Sequence, residues 1–319
     1  NPSTKTGNSE NDEMDHSMKS LPNPFKSHKG EADFLAAYDR MIRYWPVPYE
    51  TFDIPGTYGC THLVASGPKD APALVLLHGG RASLTMWSAN VGDLSQEYRV
   101  YAVDIIGQPG KSIPARTFKK RDDLVPWFTE LLDALKLQKV ILVGQSYGGW
   151  FALNYALRMP ERVNKLALIS PAACFLPLNW KHILRGSAMF FFPSRPAIRS
   201  FKLWETYPKN IQTPQNLALF NDKTEQLYLG FKHFRCQGEA NPDIFSDDEL
   251  RGLQAPTLLL IGQQEVIYDP VASIDRARRL IPHIQASLVP DASHDLSSFQ
   301  ARTVDERILA FLKDSTLEE

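Results

Sequence analysis

Apolar positions along this chain repeat with two periods, and the order in which those periods alternate predicts the architecture. Across residues 31–45, Phe34, Leu35, Tyr38, Met41, Ile42 and Trp45 fall at helical spacing and Pro46 ends the pattern, so an amphipathic helix leads. Residues 51–54, 61–66 and Ala73–Leu77 are short strand-like runs separated by Gly56, Gly59, Gly67 and Pro68. Helical patterns at 83–94, 123–137 and 147–159 then interleave with strands at 99–106, 140–143 and 166–169. Such alternation predicts an α/β fold, a mostly parallel central sheet with helices on both faces.

The alternation stops at Pro171 and resumes at Pro256 with a strand at 257–261, a helix from Pro270, a strand at 286–289 and a closing helix at 301–312. The intervening residues 172–254 lack strand alternation and are rich in aromatics, among them Trp180, Phe190, Phe191, Phe192, Phe201, Trp204 and Phe231. They read as an inserted helical cap, most of whose aromatics form its own core while some line a substrate pocket. The run Ala188 to Phe192 is short and flanked only by Arg185 and Arg195, so it reads as cap core before it reads as a membrane-touching lid. Residues 1–30, polar and nearly free of bulky apolar side chains, are expected to form a mobile tail. The organisation is therefore tail 1–30, first core segment 31–171, cap 172–254 and second core segment 255–319.

Composition narrows the class of partner. The chain has 319 residues, 43% of them hydrophobic, and 35 basic against 36 acidic side chains. That balance argues against nucleic acid or an acidic membrane surface as the main partner and for a small, largely uncharged molecule. Cys60, Cys174 and Cys236 are far apart and lack metal-ligand spacing, so no disulfide framework, metal or other cofactor is expected. With no apolar run long enough to span a bilayer and no secretory-type hydrophobic run near the start, stable membrane association is not expected and a cytoplasmic location is.

Candidate chemistry centres on Gly144-Gln145-Ser146-Tyr147-Gly148-Gly149, which follows an apolar strand and opens a helix. In a G-x-S-x-G elbow the serine sits on a strained strand-to-helix turn with its hydroxyl above the sheet, and the helix N-terminus supplies amide donors. Ser146 then needs a base and the base an orienting acid. His294 follows a strand near the C-terminus in a polar loop, whereas His62 lies inside an early strand and His182 and His233 in the cap. The acid belongs in the loop after the strand at 257–261, which offers Glu265 and Asp269; Asp269 precedes Pro270 and has a ready role as a helix N-cap, which favours Glu265. Amide donors for an oxyanion are Tyr147 and, in the loop His78-Gly79-Gly80, Gly80, with His78 bracing that loop.

These segments, with Trp87 downstream of His78-Gly79-Gly80 and the run from Asp104 to Ser112, resemble α/β-hydrolase-fold serine esterases that carry a helical cap. The resemblance covers the chain from about residue 31 onward and is weakest in the cap. It implies Ser146 as nucleophile, His294 as base, Glu265 as acid, Gly80 and Tyr147 as oxyanion donors, and a structural role for Asp104. Many members of the family carry aspartate where Glu265 stands, so Asp269 stays in play. The implied activity is hydrolysis of modest-sized apolar carboxylic esters through an acyl-enzyme, without metal or cofactor. Lactones, thioesters, amides and carbon–carbon bonds of diketones are alternatives on the same triad, as is ligand binding without catalysis. Serine at the elbow argues against epoxide hydrolases and haloalkane dehalogenases, which use aspartate there.

Overall fold

The parallel strands are short and mostly apolar, rich in leucine and β-branched side chains, a composition that is stable only when both faces are covered. In the computed structural model, which describes residues 21–235 and 240–314, they form most of a nine-stranded sheet, out to one of its edges. Helix α1 (His28–Ile42) precedes β1 (Glu50–Gly56), β2 (Gly59–Ser66) and β3 (Ala73–Leu77). A 3-10 turn (Leu84–Ala89) and α2 (Val91–Leu94) lead to β4 (Arg99–Val103), β5 (Ile113–Pro114) and α3 (Leu124–Ala134). Next come β6 (Val140–Gln145), α4 (Tyr147–Arg158) and β7 (Val163–Ile169). Helices α5 (Trp180–Phe191), α6 (Arg195–Glu205), α7 (Pro214–His233) and α8 (Asp247–Arg251) separate β7 from β8 (Thr257–Gly262). The chain closes with α9 (Pro270–Leu280), β9 (Gln285–Val289), α10 (Leu296–Phe299) and α11 (Ala301–Lys313).

Strand order is β1-β2-β4-β3-β6-β7-β8-β9, with β5 on β2; pairs involving β1 and β2 are antiparallel and all pairs from β4 to β9 are parallel. After β3 the chain crosses to β4 on one side, then returns to lay β6 on the other. The strand order reverses between β3 and β6, and the crevice at their carboxyl ends is where open α/β sheets bind ligands. One core lies on each face: Trp127, Phe128, Phe151 and Tyr155 cover one, Trp87, Leu94, Ile308 and Phe311 the other.

Two expectations are corrected. The helix expected over 83–94 is a 3-10 turn followed by one short α-helix, because Asp104 Oδ1 takes the Leu84 N–H at 2.8 Å and Ser83 and Thr85 bond to each other. Within the expected tail, residues 1–20 lie outside the described residues, but Phe25 is buried and bridges Phe234, with Lys26 N–H on His233 O at 2.8 Å. The chain from Phe25 is therefore tied to the C-terminal end of α7, and α1 starts at His28 with Ser27 as its N-cap.

Candidate active site

Ser146 stands between β6 and α4 at φ 53° and ψ −114°, a conformation that costs an L-residue strain. Its neighbours overdetermine it: Ser146 N–H donates to Ile169 O at 3.0 Å, and Ser146 O accepts from Trp150 and Ala172. The turn closes only because there are no side chains two residues either side. A Cβ on Gly148 would lie 2.1 Å from Leu77 O, and one on Gly144 2.4 Å from Gly148 O.

The loop after β9 brings His294 Nε2 to 3.0 Å from Ser146 Oγ, and the loop after β8 brings Glu265 Oε2 to 3.0 Å from His294 Nδ1. Glu265 is buried, and its other oxygen accepts from the Val266 and Ile267 N–H groups at 2.8 and 3.1 Å, which fixes the carboxylate. Asp269, the alternative acid, is exposed and caps α9 by accepting from Ala272 N–H at 3.0 Å. Glu265 is therefore the carboxylate on His294.

Burial opposes the charge on both groups, yet each sustains the other's. Burial raises the Glu265 pKa, but the adjacent imidazole together with the hydrogen bonds the carboxylate accepts outweighs it and holds the carboxyl below its usual range. Burial likewise disfavours the imidazolium of His294, while the carboxylates of Glu265, Glu205 and Asp295 push its pKa up to about 9.

The loop after β3 lies alongside. A Cβ on Gly79 would lie 3.6 Å from Ser146 Cβ, and one on Gly80 3.5 Å from Tyr147 Cβ. Gly79 N–H points to Met86 Sδ, whereas Gly80 N–H has no hydrogen-bond partner among the described residues. His78 braces this loop. Its Nε2 accepts from Ile105 N–H at 2.9 Å, which leaves the proton on Nδ1 to donate to Gly79 O at 2.8 Å. Burial lowers its pKa, in keeping with that neutral tautomer. Asp104 accepts from the Leu84 and Lys111 N–H groups and from Tyr38 OH, a buried knot that holds three segments together.

Sequence reasoning missed several neighbours of the site. Gln145, inside the elbow motif, donates to His294 O at 2.9 Å and accepts from Ser297, locking the histidine loop onto β6. Asp295, next to His294, takes Lys202 at 2.8 Å and Thr206 at 3.1 Å, and Lys202 also pairs with Glu205. The adjacency of Asp295 to the candidate base was the available signal. A cavity of about 380 Å³ opens from Ser146 and His294 between the loop after β3 and helices α5, α6 and α7, with Met86, Phe201, Leu227 and Phe231 on its apolar wall and Lys223 and Gln226 on its polar one. Trp180, Phe191 and Phe192, expected in cap core or pocket, are exposed instead. Among the described residues no cluster of His, Cys, Asp and Glu could hold a metal ion.

The chain is similar to known proteins over most of its length. The chain is 38% identical over 284 residues to the uncharacterized carboxylesterase nap of Bacillus subtilis, covering 89% of this chain and 93% of that one. It is 37% identical over 285 residues to carboxylesterase YbfK of the same organism, covering 88% and 93%. The crystal structure of naproxen esterase (carboxylesterase NP) from Bacillus subtilis superposes with a TM-score of 0.83 at 36% identity, covering 90% of this chain and all of that one. Residues 72–300 also match the model of the alpha/beta hydrolase fold family, and with that span, these relatives and this sheet, the chain belongs to that family.

Proposed function

We propose that the protein is a carboxylic ester hydrolase in which Ser146 is the nucleophile, His294 the base, Glu265 the orienting acid, and Gly80 and Tyr147 the oxyanion donors. The observation that carries this reading is the continuous chain from Ser146 Oγ through His294 to Glu265, two contacts of 3.0 Å each. The relatives named carboxylesterases support the reaction class.

In this mechanism Ser146 Oγ attacks the ester carbonyl carbon as its proton passes to His294 Nε2. Glu265, bonded to Nδ1–H, stabilises the imidazolium, and the carbonyl oxygen, now negative, takes the Gly80 and Tyr147 N–H groups. Collapse breaks the bond to the leaving oxygen, which leaves as the alcohol with the proton from Nε2. Water then gives its proton to His294 and attacks the acyl carbon, and the acid leaves as Ser146 regains its hydrogen. Residues 172–254 act as the cap, and the 380 Å³ cavity beneath them suits an apolar ester of modest size. A cytoplasmic location completes the reading, supported by the wide spacing of Cys60, Cys174 and Cys236 along the sequence, which offers no disulfide framework.

An organophosphonate probe with peptide mapping, alongside hydrolysis of short aryl esters, tests the assignment. The expected result is labelling at Ser146, and Ser146→Ala that is folded, unlabelled and slower by on the order of 10⁴-fold or more. Near-normal turnover by that variant removes Ser146 from the mechanism.

A further inference from the structure

Helix α5 is amphipathic in the wrong sense for a helix that only packs onto its own protein. A surface helix normally turns its apolar stripe inward. Here Trp180, Leu184, Ala188 and Phe191, spaced i, i+4, i+8 and i+11, are all exposed, while the opposite side places His182, Gly186 and Met189 over the cavity and Ile183 stands at its rim. Trp180 is 68% exposed, Phe191 70% and Phe192 80%. A contiguous apolar patch of this kind marks an interaction surface.

The charges around the patch identify its partner. Residues 179–204 contain five Lys or Arg and no Asp or Glu. Arg195 is neutralised by Glu225 and Lys202 by Glu205 and Asp295. Lys181 and Arg185, one turn apart on the flank of the apolar face, rest over the rings of Trp180 and Trp204 and have no carboxylate partner among the described residues. A second copy of this chain fits poorly. A two-fold contact sets the same patch against itself and brings these cations together. Exposed Trp, Phe and Leu bordered by unpaired Lys and Arg are instead what a helix needs to lie in the headgroup region of an anionic bilayer.

We propose that the outward face of α5 docks the protein reversibly onto anionic lipid membranes, with Trp180, Leu184, Phe191 and Phe192 entering the interface and Lys181 and Arg185 meeting the headgroups. This revises the expectation drawn from composition, because an even overall charge balance conceals a one-signed segment. The helix also supplies Ile183, Gly186 and Met189 to the cavity wall, so docking brings the cavity above Ser146 close to membrane-dissolved apolar esters. That consequence rests on the ester-hydrolase reading; the docking does not.

Flotation of the full chain carrying Ser146→Ala, which leaves lipid esters intact, with vesicles of phosphatidylglycerol and phosphatidylcholine against phosphatidylcholine alone tests it independently of turnover. The expected result is retention on the anionic vesicles only, weakened by salt. Lys181→Glu or Arg185→Glu lowers retention roughly five-fold or more each, and the double variant Leu184→Asp/Phe191→Asp abolishes it, with thermal midpoints unchanged. Failure to bind anionic vesicles at low salt, or equal binding by every variant, overturns the proposal. So does a dimer in sedimentation that Leu184→Asp dissociates in the absence of vesicle binding, which would assign the face to a second copy.

Discussion

His294 receives carboxylate influence from two sides, Glu265 on Nδ1 and Glu205 and Asp295 in the cavity wall, and in the proposed mechanism this moves the working pH upward. Only neutral imidazole can accept the Ser146 proton, so the active fraction grows as pH rises through the His294 pKa, which stands above the ordinary 6.5 and near 9. The kcat/KM profile for a neutral aryl ester is expected to climb on the alkaline side of neutrality; a midpoint at or below that of a free histidine refutes the electrostatic account. The same geometry ranks the acids. Glu265→Gln removes the charge from Nδ1 and is expected to cost at least 10²-fold in kcat, judged against the larger loss seen when a triad acid becomes its amide. Asp269→Asn keeps a side-chain acceptor for Ala272 N–H and leaves kcat close to the parent value. Reversal of that order would mean that the acid has been misassigned. That Glu265 rather than Asp269 contacts His294 was readable from the sequence because Pro270 already gave Asp269 a structural duty.

At the scale of elements, the joint between β6 and α4 is where sequence and packing agree most tightly. Gly148 sits against Leu77 O and Gly144 against Gly148 O, so the crossing of α4 over β3 leaves no room for a methyl group. Gly148→Ala forces a methyl group against the Leu77 carbonyl, and a loss of roughly 1–3 kcal/mol or more is expected in urea unfolding, together with loss of turnover. A variant of parental stability would show that this close approach is dispensable. The central strands β3, β6 and β8 and the elbow that follows β6 were legible because each of these strands is an apolar run buried on both faces and ended by a turn residue. Two other elements were not. Around residues 83–94 apolar positions recur at near-helical spacing, yet the hydrogen bond that Asp104, twenty residues away, accepts from Leu84 N–H tightens the first part into a 3-10 turn. In α5 the period predicts amphipathicity correctly but carries no information on which face turns inward, since that depends on the cavity it covers.

Across the whole molecule, single side chains tie distant segments together, and such ties are the least visible in a sequence. Phe25, in an otherwise mostly polar leading segment, packs against Phe34 and Phe234 at 5.3 Å each and anchors the chain ahead of α1. Asp305 of α11 makes a similar link to Asn90, which donates to Asp305 Oδ1 at 2.8 Å beside the 3-10 turn. Burial, which outweighs this hydrogen bond, raises the Asp305 pKa from 3.8 to about 8. Asp305 Oδ2 and Asn90 Oδ1 both lack partners among the described residues, an arrangement in which a carboxylic acid is better accommodated than a carboxylate. The folded state therefore holds a proton that the unfolded chain releases above 3.8, and this group makes stability fall as pH rises from about 4 to about 8, after which its effect levels off. Asp305→Asn keeps the shape, cannot ionise and offers an amide N–H toward Asn90. The variant is thus expected to gain stability relative to the parent progressively across that window, with the largest advantage at pH 8 and above and little at pH 4. Denaturant midpoints of the two proteins measured in parallel at each pH isolate this group, because every other titration, including that of His294, is common to both. A constant difference across the range would show that Asp305 is ionised in the fold and that Asn90 alone suffices to hold its charge.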